Sequence, residues 1–155
     1  MTNAEQYELL REIIHRQTSP SSPPLRVFFT GPAGCGKTFV LRLAMDIYNR
    51  YGSRQDSGYN AFVICASTGK AAVAVGGTTA HAAFKLSRKR IGTTGDGGLN
   101  PNELNTFRVA FQRVKCVITD EGSMMSADQL RAVDCRLRQI TNRLQEPFGG
   151  LDVIL

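Results

Sequence analysis

The stretch from Gly31 to Thr38 constrains this chain more than any other, because it reads G-P-A-G-C-G-K-T and has the form G-x-x-x-x-G-K-T. Glycines at both ends of such a loop let its backbone N–H groups turn inward around a phosphate. Lys37 is then placed to reach the β- and γ-phosphates of a nucleoside triphosphate, and the Thr38 hydroxyl to ligate Mg²⁺. The alternative is a glycine-rich turn with a surface lysine. The residues predicted on this basis to bind the nucleotide are Gly31, Pro32, Ala33, Gly34, Cys35, Gly36, Lys37, Thr38 and Phe39.

The residues on either side of this loop predict the context that a phosphate-binding loop requires. Residues 25–30 read L-R-V-F-F-T and are typical of a strand, whereas residues 39–45 read F-V-L-R-L-A-M and are typical of a helix. A helix that begins near Lys37 directs the positive end of its dipole at the same phosphates. Strand, loop and helix in this order predict an α/β fold of the P-loop NTPase type, with a mostly parallel sheet between two layers of helices.

Composition and charge limit the possible partners. A chain of 155 residues suits a single domain, and its net charge of +6 fits a polyanionic partner such as nucleic acid. A merely soluble basic protein would carry the same charge, so the alternative stays open. The first 17 residues are polar and charged, and no apolar run approaches the roughly 20 residues that span a bilayer. We therefore expect neither a signal peptide nor a membrane partner.

The cysteines favour an intracellular protein. No two of them have the C-x-x-C spacing of a metal clip or a redox pair. Cys65 and Cys116 fall in apolar runs and are expected to be buried free thiols, while Cys35 lies inside the phosphate-binding loop. Reduced thiols of this kind are typical of proteins kept inside the cell.

A second chemical feature follows another predicted strand. Residues 114–119 read V-K-C-V-I-T and are followed directly by Asp120 and Glu121. An apolar strand that ends in two carboxylates is the Walker B arrangement, in which the aspartate holds Mg²⁺ and the glutamate orients and deprotonates the attacking water. A charged turn is the alternative. Because parallel strands end at the same edge of a sheet, these carboxylates are expected beside Lys37.

Periodicity and capping signals predict the remaining elements. The predicted strands cover residues 25–30, 61–66, 114–119 and 151–155, and the predicted helices cover residues 2–16, 37–51, 71–75, 78–86, 100–113 and 126–146. Capping boxes are expected at Thr2 with Glu5 and at Ser126 with Gln129. Since the last strand begins at the final residues, we expect a truncated chain or a fragment of a longer protein.

Basic residues gather in two further places. A first cluster precedes a glycine-rich loop and comprises Lys85, Arg88, Lys89 and Arg90. A second group on the last helix is expected to form a solvated face and comprises Arg131, Arg136, Arg138 and Arg143. A solvated surface is an equally open alternative for the first cluster.

With these motifs in hand, the chain resembles the first RecA-like domain of the Pif (petite integration frequency) family of superfamily-one DNA helicases, in the form found in Helitron-type transposons. Residues 2–6, T-N-A-E-Q, are similar to the family's L-N-x-E-Q element, which casts Gln6 as the reader of adenine, although Thr2 replaces the usual leucine. Residues 120–124, D-E-G-S-M, resemble D-E-x-S-M. The most discriminating match is the segment called motif Ia, A-S-T-G-K-A-A followed by G-G-T-T-A-H.

The resemblance implies which residues touch DNA and which perform the chemistry. It implies that motif Ia contacts single-stranded DNA through Ser67, Thr68, Gly69, Lys70, Thr79 and His81. For His81 the alternative is a packed or capping histidine. Lys37 and Glu121 are the implied catalytic residues, with ATP and Mg²⁺ as cofactors, Thr38 and Asp120 on the metal, and single-stranded DNA and duplex junctions as partners.

The resemblance further implies one incomplete N-terminal RecA-like ATPase domain over residues 1–155. Within it, residues 1–17 form an adenine-side helix, residues 18–24 a loop and residues 25–155 the P-loop core. The family's G-D-x-x-Q-L-P-P segment would begin just past Leu155, so that segment and the second RecA-like domain are expected to be missing.

The implied activity is that of a 5′-to-3′ DNA helicase in genome maintenance (repair, recombination and telomere maintenance) or in transposition. In a eukaryote the protein would be nuclear or mitochondrial. Two other functions stay open: an inactive nucleotide- or DNA-binding remnant, and a P-loop kinase, for which the sequence offers neither a lid nor an acceptor pocket.

Overall fold

The computed structural model describes residues 3–19, 21–32, 34–52, 60–86 and 98–155. The strands are β1 (Arg26–Val27), β2 (Phe62–Ala66), β3 (Thr78–Thr79), β4 (Cys116–Asp120) and β5 (Asp152–Ile154). The helices are α1 (Asn3–Thr18), α2 (Lys37–Gly52), α3 (Gly69–Ala74), α4 (Ala80–Ala83), α5 (Pro101–Phe111) and α6 (Ala127–Thr141), with short 3₁₀ helices over Gly122–Met124 and Pro147–Gly150. Within these ranges no helix combines the length and the apolar character needed to cross a bilayer.

The strands form one sheet in the order β1-β5-β4-β2-β3, and every pairing in it is parallel. The α/β prediction is therefore confirmed. The last strand in sequence, β5, lies between β1 and β4, with Val153 opposite both Arg26 and Val117. Because all strands point the same way, the residues that follow β1, β2 and β4 meet at one edge of the sheet, the carboxyl edge.

Alternating side chains of β4 pack into two different cores. Cys116 and Ile118 belong to a cluster with residues of α1 and α2, whereas Val117 belongs to a cluster with residues of α4 and α6. Successive side chains of a strand point to opposite faces, so the sheet is covered on both sides. The predicted three-layer arrangement is confirmed.

Three predicted elements differ clearly from the structure. The last helix, expected over residues 126–146, ends at Thr141, where Asn142 takes a left-handed backbone conformation with a φ of 59°. The strand expected over residues 25–30 is paired as β1 only at Arg26–Val27, although the N–H of Phe29 still donates to the Leu155 carbonyl at 2.9 Å. The helix expected over residues 78–86 begins instead with β3, and α4 is only four residues long. Threonine is β-branched and favours extended backbone, and the Thr79 hydroxyl then accepts the N–H of Ala82 as the cap of α4.

The expectation of a solvated arginine face is wrong for Arg136. This residue is buried, with 6% of its surface exposed. Its guanidinium donates to the Gln139 Oε1 at 3.1 Å and to the carbonyl of Lys85 at 3.3 Å, which explains how a charged group is tolerated there. Arg131 and Arg143 are exposed as expected, whereas Arg138 is partly covered and forms an ion pair with Asp134.

The predicted helix start at Asn100 is confirmed, whereas the capping box predicted for Ser126 with Gln129 forms only in part. Asn100 and Glu103 form a reciprocal capping box at the start of α5, with Pro101 in the first turn. At the start of α6 the Ser126 hydroxyl accepts the N–H of Gln129 at 3.1 Å, while the Gln129 side chain lies against His81 instead. Other predicted features lie outside the described residues: Thr2, Ala33, the polar loop at 53–59, the cluster at 88–90 and the glycine-rich segment up to residue 97.

A partly buried polar cluster joins three elements at the start of β5. The Tyr48 hydroxyl of α2 donates to the Asp152 Oδ2 at 2.8 Å, and the N–H of Leu25 donates to the Oδ1 at 2.6 Å. Burial raises the pKa of Tyr48 far above its usual value, so the phenol stays a donor. Burial also raises the pKa of Cys116 and, to about 11, that of Cys65, so both are the buried free thiols that were predicted.

Candidate active site

The phosphate-binding loop lies between β1 and α2 at the carboxyl edge of the sheet. Gly34 and Gly36 have φ angles of +78° and +86°, which side-chain-bearing residues rarely adopt. The N–H of Val40 donates to the Gly36 carbonyl at 3.1 Å, which closes the first turn of α2. The two glycines thus let the loop reverse direction and deliver the next residues into a helix.

Lys37 is the first residue of α2, and its ammonium group turns back over the loop. The Nζ donates to the carbonyl of Gly31 at 2.6 Å and to that of Pro32 at 2.9 Å. Thr38 and Phe39 follow in the first turn at exposed positions. The loop therefore presents one ammonium group and the amino end of α2 to the same space, which is the arrangement that favours a phosphate.

Asp120 is the last residue of β4 and Glu121 follows it directly, with its backbone held on both sides. Its N–H donates to the Asp120 Oδ1 at 3.0 Å, and its carbonyl accepts from the N–H of Met124 at 2.9 Å and from the Ser67 hydroxyl at 3.1 Å. Glu121 adopts φ 53° and ψ 40°, a left-handed conformation that is unfavourable for a residue with a Cβ. Such strain persists only where surrounding contacts impose it, and it is frequent at functional sites.

One cavity of about 260 Å³ brings the loop and the carboxylates together. Lys37, Asp120 and Glu121 line it, although 83 residues separate the lysine from the aspartate in the chain. The other lining residues are Phe29, Thr30, Gly31, Thr119, Gly122, Ser123, Met124 and Leu155. A basic group and two acidic groups around one cavity can hold a phosphate together with a cation.

Gly122 and Leu155 are site residues to which the sequence analysis gave no role. A Cβ on Gly122 would lie 2.9 Å from the Cβ of Leu155, so the turn after Glu121 can pack against the end of β5 only because this residue is glycine. A glycine directly after two carboxylates is a signal that could have indicated such a close approach. Leu155 could not have been found, because its position depends on where β5 enters the sheet.

Gln6 of α1 lies directly against the phosphate-binding loop. Its side-chain Nε2 donates to the Cys35 carbonyl at 2.6 Å. The structure thus places Gln6 beside the loop and gives it a loop-bracing contact. Its reading of adenine remains a prediction.

The residues predicted to contact DNA lie at the same edge, at the end of β3 or after β2 and β3, but several of their side chains are already engaged. The hydroxyls of Thr68 and Thr79 cap α3 and α4, and the Nδ1 of His81 lies 3.3 Å from the Gln129 Nε2 on α6. The alternative of a packed histidine therefore has structural support. Gly69 and Lys70 are exposed and are the residues best placed for a partner.

Among the described residues, no group of three or more histidine, cysteine or acidic side chains could hold a metal ion. Of the two residues predicted to offer a metal an oxygen, Asp120 with its carboxylate lines the cavity, whereas Thr38 with its hydroxyl follows Lys37 in the chain and is not among the lining residues. Mg²⁺ prefers such hard oxygen ligands, and it is usually bound through one or two carboxylates together with water and substrate phosphates. The donor set therefore fits a Mg²⁺ ion that arrives with a nucleotide.

Known proteins provide independent comparisons. A sequence profile of the PIF1-like helicase family matches residues 1–155. The chain is 31% identical to the ATP-dependent DNA helicase RRM3 of Saccharomyces cerevisiae, over 97% of this chain and 19% of that protein. It is 29% identical to the human ATP-dependent DNA helicase PIF1, over 97% of this chain and 20% of that protein. The chain thus spans about a fifth of the length of these relatives.

Solved structures give the same result. Unliganded Pif1 from Bacteroides sp. superimposes with a TM-score of 0.71 at 26% identity, over 99% of this chain and 31% of that one. Bacteroides sp. Pif1 in complex with ADP-AlF4 gives a TM-score of 0.68 at 27% identity, with the same two coverages. Bacteroides Pif1 bound to single-stranded DNA gives a TM-score of 0.65 at 27% identity, again over 99% of this chain and 31% of that one.

Proposed function

Because the chain belongs to the PIF1-like helicase family, we propose that it is the first motor domain of an ATP-dependent 5′-to-3′ DNA helicase. The observation that carries the proposal is the single cavity lined by Lys37, Asp120 and Glu121 at the carboxyl edge of the sheet. The Bacteroides relatives bound to ADP-AlF4 and to single-stranded DNA support the same two ligands for this chain. Duplex junctions are proposed as the partner of the whole protein.

In the proposed mechanism the loop and two side chains position ATP. The backbone amides of Gly34, Gly36 and Lys37 surround the phosphates, and the Lys37 ammonium neutralises the developing charge on them. Thr38 and Asp120 would hold Mg²⁺, which supplies positive charge to the phosphate oxygens when bound. Gln6, which already contacts the loop, would lie on the adenine side.

Glu121 is proposed to orient the attacking water and take its proton. Glu121 lines the cavity, and its backbone is fixed by hydrogen bonds with Asp120, Met124 and Ser67. The hydrogen bond from Ser67 also joins motif Ia to the Glu121 peptide. Single-stranded DNA bound at Lys70 would therefore lie close to the residue that is proposed to activate water. An arginine supplied by a neighbouring domain is worth about 10³–10⁵ in rate in related enzymes, so we expect little turnover and no unwinding by the 155-residue chain alone.

Loss of the Lys70 charge should weaken binding of single-stranded DNA. Lys70 is exposed in the first turn of α3, next to the edge that carries Glu121. We expect Lys70→Gln to lower the affinity for a fluorescein-labelled oligonucleotide about fivefold. The slope of log K against log salt concentration should become shallower by about 0.7, the value for one phosphate contact with a single strand. Fluorescence anisotropy across a salt series measures both quantities.

Arg11→Gln is the matched control for this experiment, since it removes the same charge from α1, where Arg11 lines a cavity with residues of α2. It should leave the oligonucleotide affinity within about twofold of the wild type, because charge far from the strand is screened. Equal losses in the two variants would show that DNA senses only the net charge of the chain, and would contradict a DNA site at motif Ia.

A further inference from the structure

The amino edge of the sheet, opposite the candidate active site, carries a second cavity. Its volume is about 370 Å³, and three cationic side chains from different elements line it. Arg108 comes from α5, Lys115 directly precedes β4, and Arg143 follows α6. We call this cavity the basic pocket.

The basic pocket contains positive charge that little in the structure neutralises. None of its lining residues is acidic. Arg143 forms the only ion pair recorded for these three cations in the described part of the chain, with Glu146 at 3.4 Å. Both of those side chains are more than half exposed, at 57% and 52%, and exposed pairs of this kind contribute little. Like charges that share one cavity repel one another, so an anion bound there would be stabilised.

The hydrogen-bonding capacity of the three cations is also largely unused. One long bond is recorded for the Arg108 side chain, at 3.5 Å to the Gln139 carbonyl, out of the five N–H groups that a guanidinium offers. Lys115 is exposed, and its backbone N–H and carbonyl, but not its ammonium, are engaged with Ala61 and Asp152. Two planar guanidinium forks with one ammonium group match the oxygens of a phosphate.

We propose that the basic pocket binds the backbone phosphates of a nucleic-acid strand, separately from motif Ia. A cavity of this size at the amino edge admits a phosphodiester, and the net charge of +6 attracts a polyanion to the domain. The β-strands β4 and β5 begin at the basic pocket and end at the active site. The nucleotides held in the pocket would therefore be different from those bound at Lys70. The pocket does not depend on the nucleotide-binding loop.

The test compares two double variants for oligonucleotide binding. Lys115→Gln/Arg143→Gln removes two pocket charges, whereas Arg11→Gln/Arg50→Gln removes two charges from a cavity between α1 and α2 that also contains Asp46. Labelled single-stranded and duplex oligonucleotides serve as probes, in anisotropy titrations over a salt series. For the pocket variant we expect about a tenfold loss of affinity. With the duplex oligonucleotide, the slope of log K against log salt concentration should become shallower by about 2, which is about 1 for each cation removed.

Several results would overturn the proposal. One is an equal loss in the two double variants, with thermal denaturation showing both to be folded. Another is that, in the Lys37→Ala background, the pocket substitutions weaken the binding of inorganic phosphate or ATP but leave oligonucleotide binding unchanged. That result would assign the pocket to a free phosphate ligand. A third is stronger competition by polyglutamate than by oligonucleotide, which would assign it to an acidic protein. If Lys70→Gln leaves the oligonucleotide affinity unchanged while the pocket variant lowers it, the result contradicts DNA binding at motif Ia and supports DNA binding at the basic pocket.

Discussion

Replacement of Lys37 by alanine is expected to lower the affinity of the chain for Mg·ATP about 100-fold. The ammonium group is anchored by the Gly31 and Pro32 carbonyls at the mouth of the loop, within reach of a phosphate bound there. A charge-assisted hydrogen bond contributes about 1.5–3 kcal/mol, and about 2.7 kcal/mol corresponds to a factor of 100. Isothermal titration calorimetry with Mg·ATP measures the difference directly.

Arg42→Ala is the matched control, because Arg42 is an exposed cation on the same helix, five residues further on. Its affinity for Mg·ATP should equal that of the wild type. An unchanged affinity in Lys37→Ala would mean that the loop is not used for nucleotide. A wild-type chain without measurable nucleotide affinity would instead favour the inactive remnant.

Replacement of Asp152 by alanine is expected to lower the free energy of unfolding by about 2–4 kcal/mol. The carboxylate accepts from the Tyr48 hydroxyl and from the N–H of Leu25, and Tyr48 is completely buried. Alanine would leave both donors without their acceptor and would loosen the junction of α2, β1 and β5. Since domains of this kind are stable by only about 5–15 kcal/mol, urea denaturation should show a large shift of the midpoint.

Two milder variants show whether the effect comes from these hydrogen bonds. Tyr48→Phe removes one donor and fills the same space, so about 1 kcal/mol should be lost. Asp152→Asn keeps an acceptor oxygen for Leu25 and should lie between the wild type and Asp152→Ala. A loss below about 1 kcal/mol for Asp152→Ala would show that the partly buried polar cluster does not stabilise the fold.

The parts of the site that could be predicted from sequence are those encoded in short stretches. The loop from Gly31 to Thr38 contains its own glycines, lysine and hydroxyl within eight residues. Asp120 and Glu121 follow an apolar strand directly, so their place at the carboxyl edge follows once the sheet is parallel. The sheet order confirms that both features share this edge.

The features that escaped prediction depend on contacts between distant residues. The entry of β5 between β1 and β4 brings Leu155 against Gly122, and no local pattern specifies that neighbour. The same holds for the hydroxyl of Ser67, which reaches a carbonyl 54 residues away, and for the burial of Arg136. Propensity describes a residue's own backbone, whereas these contacts are set by tertiary packing.

The kinase alternative predicts a different response to DNA. A small-molecule kinase would transfer phosphate to an acceptor, and single-stranded DNA would not change its rate. Under the helicase proposal, DNA bound at motif Ia would act beside Glu121 through Ser67, whose hydroxyl donates to the Glu121 carbonyl at 3.1 Å. The two functions can therefore be separated by one activity assay.

That assay is the rate of ATP hydrolysis by the chain, measured with and without a single-stranded oligonucleotide. We predict a low basal rate that rises when the oligonucleotide is added and that is lost in Lys37→Ala. A rate that ignores DNA, or that persists in Lys37→Ala, would contradict the proposal that this domain couples ATP hydrolysis at the carboxyl edge of its sheet to DNA.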